Sequence, residues 1–438
     1  MEVMILGLGQ YPQGSGVVAA LYFARRGDRV LVVDYYYTPT LDANVKQLKK
    51  FKNVSFLFNT HAVKEVGRMD MVVRHPRARA NEPELVEARR LGIPIASDQS
   101  IFLNACPARV IGITGTRGKS TTTTLIYELL KANHGTRAHI GGNILISPLT
   151  FVSHIRKNDV VVLEMSSFQL EGLGEAGVSP AVAVWTNLMR DHLNAYPTMA
   201  EYAEAKAQIF RHQTPHDTVF LPGDRFFDSY AQEAPGAVVR FGKKGSQEEA
   251  IVKSVKMKLL GQHNQMNAMT AVAVALHMGV PIKTIKKVLT SFKGLPNRLE
   301  LIATKKGVNY MNDTTATTPD ATIAAIQSLP TTPCTLHLIF GGADKELEFD
   351  QVAGVLKKSH VNIALLPGTA HDKITKAFHA HRVAYTDVPD LREALKMLKA
   401  RAVKGDTILL SPGCASFGLF KNEFDRGEQF KKLVESYA

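Results

Sequence analysis

Only three cysteines, Cys106, Cys334 and Cys414, occur in 438 residues, and they stand far apart. An odd number at such spacing excludes a disulfide framework and gives no metal-ligand pattern, which fits a reducing cytoplasm. No apolar run approaches the ~20 residues needed to span a bilayer, so no membrane partner is expected. The start, Met1-Glu-Val-Met-Ile-Leu-Gly, has neither a basic stretch nor a small-residue cleavage site, and reads as a strand rather than a secretory signal. Internal repeats, low-complexity tracts and heptads are missing as well.

What is present is ordinary for a globular chain: 45% hydrophobic and 21% charged residues. Its length is too great for one core and predicts two or three domains. Lys and Arg number 53 against 40 Asp and Glu, a net charge of +13 that attracts polyanions. The basic residues fall in small groups (Lys49, Lys50, Lys52; Arg74, Arg77, Arg79; Lys286, Lys287), without a long run or interleaved aromatics. That distribution favours an anionic small substrate over nucleic acid, and no nucleic-acid partner is expected.

Strand-like apolar runs alternate with helical segments throughout, predicting an α/β fold with mainly parallel sheets. Punctuation divides the chain into residues 1–105, 106–297 and 298–438. The first begins with a strand at 3–6, glycines, a helix near 17–26 and a strand at 29–33 ending at Asp34. The second opens on a strand at 110–114 and closes at the turn Leu295-Pro296-Asn297. The third holds strands near 308–311, 335–340, 363–366 and 407–410. In each, glycines and polar residues follow strand C-terminal ends, where open α/β sheets bind ligands.

The strongest motif is Gly112-Ile-Thr114-Gly115-Thr116-Arg117-Gly118-Lys119-Ser120-Thr121-Thr122. A buried strand runs into glycines and a Gly-Lys-Ser ending, and a helix follows. Successive N–H groups and a helix N-terminus make an anion cradle, with Lys119 for terminal phosphates and Ser120 for Mg²⁺. The run 160–163 ends abruptly in Glu164, a carboxylate at a strand exit suited to a hard cation. A similar strand, 182–185, leads to Thr186-Asn187 and Asp191-His192. Lys206 lies four residues from both Tyr202 and Phe210, on the apolar face of its helix. Burial there favours the neutral amine, which reacts with CO₂ to give a carbamate; on spacing alone, snorkelling to water is the commoner outcome.

Together these residues resemble the Mur ligase family over the whole chain. The resemblance implies three domains: a Rossmann-like UDP-substrate domain, a central P-loop ATPase domain and a Rossmann-like C-terminal domain. It implies ATP contacts at Gly115, Thr116, Gly118, Lys119, Ser120 and Thr121, with Asn264 and Asn267 near adenine, Arg298 on ATP and Asp313 on ribose. Ser120, Glu164, His192 and a carbamylated Lys206 match the metal site, with two Mg²⁺ ions expected. Lys119, His192 and Lys206 are the catalytic candidates. Asn143, Ser166 and Gln169, with Asp34 and Arg74, are expected on the UDP-substrate. The run Leu410-Ser411-Pro412-Gly413-Cys414-Ala415-Ser416 and the later Arg426-Gly427 resemble the D-glutamate-adding branch. There Thr317, Lys345 and Ser416 would hold the amino acid.

By that resemblance a monomer links D-glutamate to UDP-N-acetylmuramoyl-L-alanine through an acyl phosphate, and domain closure gates turnover. Addition of another amino acid, or a nucleic-acid-associated ATPase, are the alternatives.

Departures from the family pattern are also legible. The first glycine turn, Gly7-Leu8-Gly9 through Gly14-Ser-Gly16, is longer than usual and is not G-x-G-x-x-G, which argues against a nicotinamide site. Arg74-His75-Pro76-Arg77 stands where the family has Ser-Pro-Gly, so guanidiniums are expected to replace hydroxyl and backbone donors. Thr315 and Glu423 replace a lysine and a phenylalanine. The sequence Thr318-Pro319-Asp320 predicts an N-cap, a proline at N1 and a first-turn acid, and so a helix start beside the amino-acid site.

Overall fold

The computed structural model describes residues 1–143, 146–191, 195–259, 261–329, 335–344, 347–359 and 361–436. Three sheets organise them. The first contains β1 (Glu2–Leu6), β2 (Arg29–Asp34), β3 (Val54–Phe58), β4 (Met71–Arg74) and β5 (Ile95–Ala96), in the order β3-β2-β1-β4-β5 and wholly parallel. The second contains β6 (Arg109–Thr114), β7 (Ala138–Gly142), β8 (Val160–Glu164), β9 (Val182–Trp185), β10 (Thr218–Pro222) and β11 (Ala237–Phe241). Its order is β11-β10-β9-β6-β8-β7, again all parallel.

The third sheet contains β12 (Glu300–Lys305), β13 (Val308–Asn312), β14 (Leu336–Phe340), β15 (Val361–Leu365), β16 (Thr386–Asp387) and β17 (Thr407–Leu410). The order is β12-β13-β17-β14-β15-β16, with β12 antiparallel to β13 and the rest parallel. Successive residues of β14 and β17 enter different cores. Leu338, Phe340 and Leu409 join one cluster, and Ile339, Ile408 and Leu410 join another. Both faces are therefore covered, which is why these strands read as unbroken apolar runs.

The α/β class and parallel sheets expected from the sequence are present. Strand ends differ by a residue or two: β15 begins at Val361 rather than 363. By packing, the chain divides into two compact units, Met1–Lys256 with Gln265–Thr290, and Met257–Asn264 with Ser291–Ala438. The first two sheets share a continuous core that runs from Val3 and Ile5 through Phe102 to Val161 and Trp185. Polar contacts reinforce that junction. Ser147 Oγ donates to the buried Asp98 (2.7 Å), and the Arg74 guanidinium donates to Glu171 (3.1 Å) and Glu175 (2.9 Å). Among the described residues no helix is long and apolar enough to cross a membrane.

Candidate active site

The phosphate loop leaves β6 at Thr114 and enters the helix Lys119–His134. Its glycines are obligatory for space. A Cβ on Gly115 would lie 2.0 Å from Thr186 Oγ1, and one on Gly118, whose φ is +76°, 2.2 Å from Asn267 Oδ1. Asn187, just past β9, ties down the front of the loop. Its Oδ1 accepts the N–H groups of Thr116 (3.1 Å) and Arg117 (2.9 Å), and its Nδ2 donates to Arg117 O (2.9 Å). The back of the loop is the helix N-terminus. Its first return bond runs from Thr122 N–H to Gly118 O (2.9 Å), so the N–H groups of the first turn remain for an anion.

Two lysine amines meet at one carbonyl. Lys119 Nζ donates to Gly115 O and Thr116 O (both 3.0 Å), and Lys206 Nζ donates to Gly115 O (2.9 Å). Lys206 sits on the helix Met199–Arg211, whose N-terminus Thr198 caps. It does not snorkel: it is 1% exposed, with Nζ 4.4 Å from the centre of the Tyr202 ring. Burial, and then repulsion from Lys119, bring its pKa down to about 6, against an opposing pull from Asp191.

Glu164 ends β8 at 2% exposure. Its Oε1 accepts from Asn143 Nδ2 (2.8 Å), while among the described residues Oε2 is buried without a protein partner. A buried carboxylate oxygen left in this way fits a bound cation. His192, the expected fourth metal residue, lies outside the described residues. Among the described residues no three or more His, Cys, Asp or Glu side chains gather into a cage.

Ser166 and Gln169, expected on the substrate, form a capping box. Ser166 Oγ accepts Gln169 N–H (3.3 Å) and Gln169 Oε1 accepts Ser166 N–H (2.9 Å), starting the helix Ser167–Ala176. The spacing Ser-x-x-Gln carried that signal in the sequence. Asp34 lines a cavity of about 390 Å³ at the C-terminal edge of the first sheet, with Gly7, Gly9, Tyr36, His75 and Arg77. Arg74 is not among the residues lining it.

In the C-terminal unit, Asp313 follows β13 and accepts from Leu299 N–H (3.1 Å) and Ser411 Oγ (2.8 Å). Burial raises its pKa to about 6, partly offset by the Ser411 bond and the exposed Arg298 guanidinium. Thr318 caps the helix Pro319–Ser328 through Ala321 N–H, with proline at N1, as the sequence predicts. Thr317 is half-buried beside it, and Ser416 is 3% exposed after β17. Lys345 lies outside the described residues. Thr315 Oγ1 donates to Asn297 O (2.9 Å).

The sequence reading gave Arg426 no role, yet it joins these loops. Fully buried, Arg426 donates to Thr314 Oγ1 (3.0 Å), Thr314 O (2.9 Å), Cys414 O (3.2 Å) and Ala415 O (3.4 Å). Asn264 and Asn267 both lie on the helix Gln262–His277.

A loop shaped for phosphate, a core lysine and a buried carboxylate are the parts a nucleotide-dependent enzyme needs, and sequence comparison gives the family. Residues 113–275 match the Mur ligase middle domain, and residues 297–414 match the Mur ligase, glutamate ligase domain. The chain belongs to the Mur ligase family. It is 36% identical to the UDP-N-acetylmuramoylalanine--D-glutamate ligase of Roseiflexus sp. (strain RS-1), over 100% of this chain and 99% of that one. It is 35% identical to the enzyme of the same name from Symbiobacterium thermophilum, covering 97% and 96%. Among solved structures, the MurF ligase of Thermotoga maritima in complex with ADP shares the fold, with a TM-score of 0.61 at 18% identity, covering 99% of this chain and 98% of that one.

Proposed function

We propose that this chain joins D-glutamate to UDP-N-acetylmuramoyl-L-alanine, converting ATP to ADP and phosphate. The alanyl carboxylate oxygen attacks the γ-phosphorus and ADP leaves. The glutamate amine then attacks the acyl phosphate carbonyl, loses a proton, and phosphate departs as the amide forms. The observation that carries this reading is the meeting of Lys119 and Lys206 at Gly115 O, inside a loop shaped for phosphate. The ligases of that name, similar over essentially the full chain, supply the substrates.

Two anions, carboxylate and γ-phosphate, must approach one another, and Lys119 offsets their repulsion. Ser120 and Glu164, with His192 and a carbamate on Lys206, would hold two magnesium ions, which supply further positive charge when bound. A core lysine neutral near pH 7 supports carbamate formation, because only the unprotonated amine has the lone pair that attacks the CO₂ carbon, releasing a proton as the carbamate forms. Thr317, Lys345 and Ser416 would take the glutamate carboxylates.

The test is phosphate release from ATP with UDP-N-acetylmuramoyl-L-alanine and a panel of D- and L-amino acids. Release should require both acceptor and amino acid, and should be greatest with D-glutamate. A rate independent of the acceptor, or a preference for an amino acid lacking a side-chain carboxylate, defeats the proposal.

A further inference from the structure

The loop after β4 closes one wall of the cavity in the first sheet, and its donors can be counted. His75 N–H donates to Leu6 O (2.8 Å), Arg77 N–H to His75 Nδ1 (3.1 Å), and Ala78 N–H to His75 O (2.9 Å). Pro76 has no N–H. No main-chain donor from 75 to 78 is left for a ligand. The His75 ring packs against the glycine turn so closely that a Cβ on Gly7 would come within 2.8 Å of its own Cβ. Burial and the neighbouring Arg77 hold its pKa at about 4, so at neutral pH the ring carries no charge. The Asp34 carboxylate already accepts Leu8 N–H (2.9 Å) and Tyr36 N–H (3.3 Å).

Two guanidiniums flank His75 and Pro76, and they differ. Arg74 is 2% exposed and held by Glu171 and Glu175, away from the cavity. Arg77 is exposed and lines the cavity, and among the described residues its guanidinium has no carboxylate or carbonyl partner.

The geometry points to Arg77, rather than Arg74 or the loop's main chain, as the group that binds the diphosphate of the nucleotide substrate. The inference rests on the proposed reading that this cavity takes a UDP-linked substrate. A planar fork of donors suits phosphate oxygens, and it stands where a main-chain cradle is closed. Arg77 thereby makes the cavity select a phosphorylated nucleoside over the bare nucleoside.

The experiment is calorimetric titration of the full chain with uridine diphosphate and with uridine. Arg77→Gln should weaken uridine diphosphate binding about tenfold to hundredfold, the scale of a lost charge-assisted hydrogen bond, and change uridine by less than about twofold. Arg77→Lys should recover part of the loss, since charge returns without the fork. If the parent binds uridine diphosphate and Arg77→Gln binds it equally well, the Arg77 assignment is overturned while the substrate reading stands. If the parent binds neither probe, both fail together.

Discussion

Lys206 shows how a single side chain can be costly to the fold and useful to the site. Its amine is neutral near pH 7 in the folded chain but charged in the unfolded one, so the unfolded state binds the extra proton between about pH 6 and the ordinary lysine range. Stability should therefore rise with pH across that window, by up to ~1.4 kcal/mol per unit from this group alone, and show no such gain below it. Lys206→Met should be inactive and more stable than the parent in metal-free, CO₂-free buffer, with an advantage that shrinks from pH 7 to pH 9. Urea titrations at both pH values measure this. A difference that does not move with pH would mean the amine keeps its proton in the fold.

At the scale of elements, the strands present loops and Arg426 binds two of those loops together. The loops after β13 and β17 carry Thr314 and Cys414–Ser416, and the guanidinium spans them with four hydrogen bonds. Arg426→Met should leave those acceptors without a donor, at ~1–3 kcal/mol for each one that stays buried. It should also raise KM for D-glutamate at least about tenfold, more than KM for ATP. Arg426→Lys should not restore it, because a compact ammonium cannot span both loops. Steady-state kinetics with each substrate varied, beside thermal melts, check both parts. An unchanged amino-acid KM would reduce Arg426 to a core filler.

The strands were legible because β6, β8, β14 and β17 are buried runs with sharp polar ends, and the phosphate loop because its glycines and lysine are adjacent in sequence. Arg426 was not, since the partners that fix its role lie 11 to 112 residues away. The Ser166 and Gln169 capping box was legible too, because Ser-x-x-Gln at the start of a helical run is a local signal. Lys206 was half legible. Its spacing gave the apolar face, while its distance of 91 residues from Gly115 hid what its amine would meet.

For the molecule as a whole, the first two sheets act as one packed unit, and Arg74 is a pin between them. Arg74→Ala should leave Glu171 and Glu175 without their shared cation. The cost should be roughly 2–3 kcal/mol, less than the ~3–5 of a fully buried pair because these carboxylates stay 27% and 21% exposed. Calorimetry should show a melting point lower by a few degrees, while uridine diphosphate binding persists in the folded protein. An unshifted melting point would make the pairs ornamental.

The division of the chain into units has a consequence for anyone cutting the gene. Residues 257–264 belong with the C-terminal unit and 265–290 with the first, so the polypeptide changes unit three times. A fragment starting at 291 would lack a strip of its own core, since a Cβ on Gly294 would already touch Leu259. One starting at 257 would carry the helix segment of Ala268, Ala271, Val272 and Val274, all wholly buried in the intact chain, with its packing partners removed. Either fragment should precipitate on expression. Recombining this protein with a relative by a single crossover should fail for the same reason, and working chimaeras will need the 257–264 strip exchanged together with 291–438.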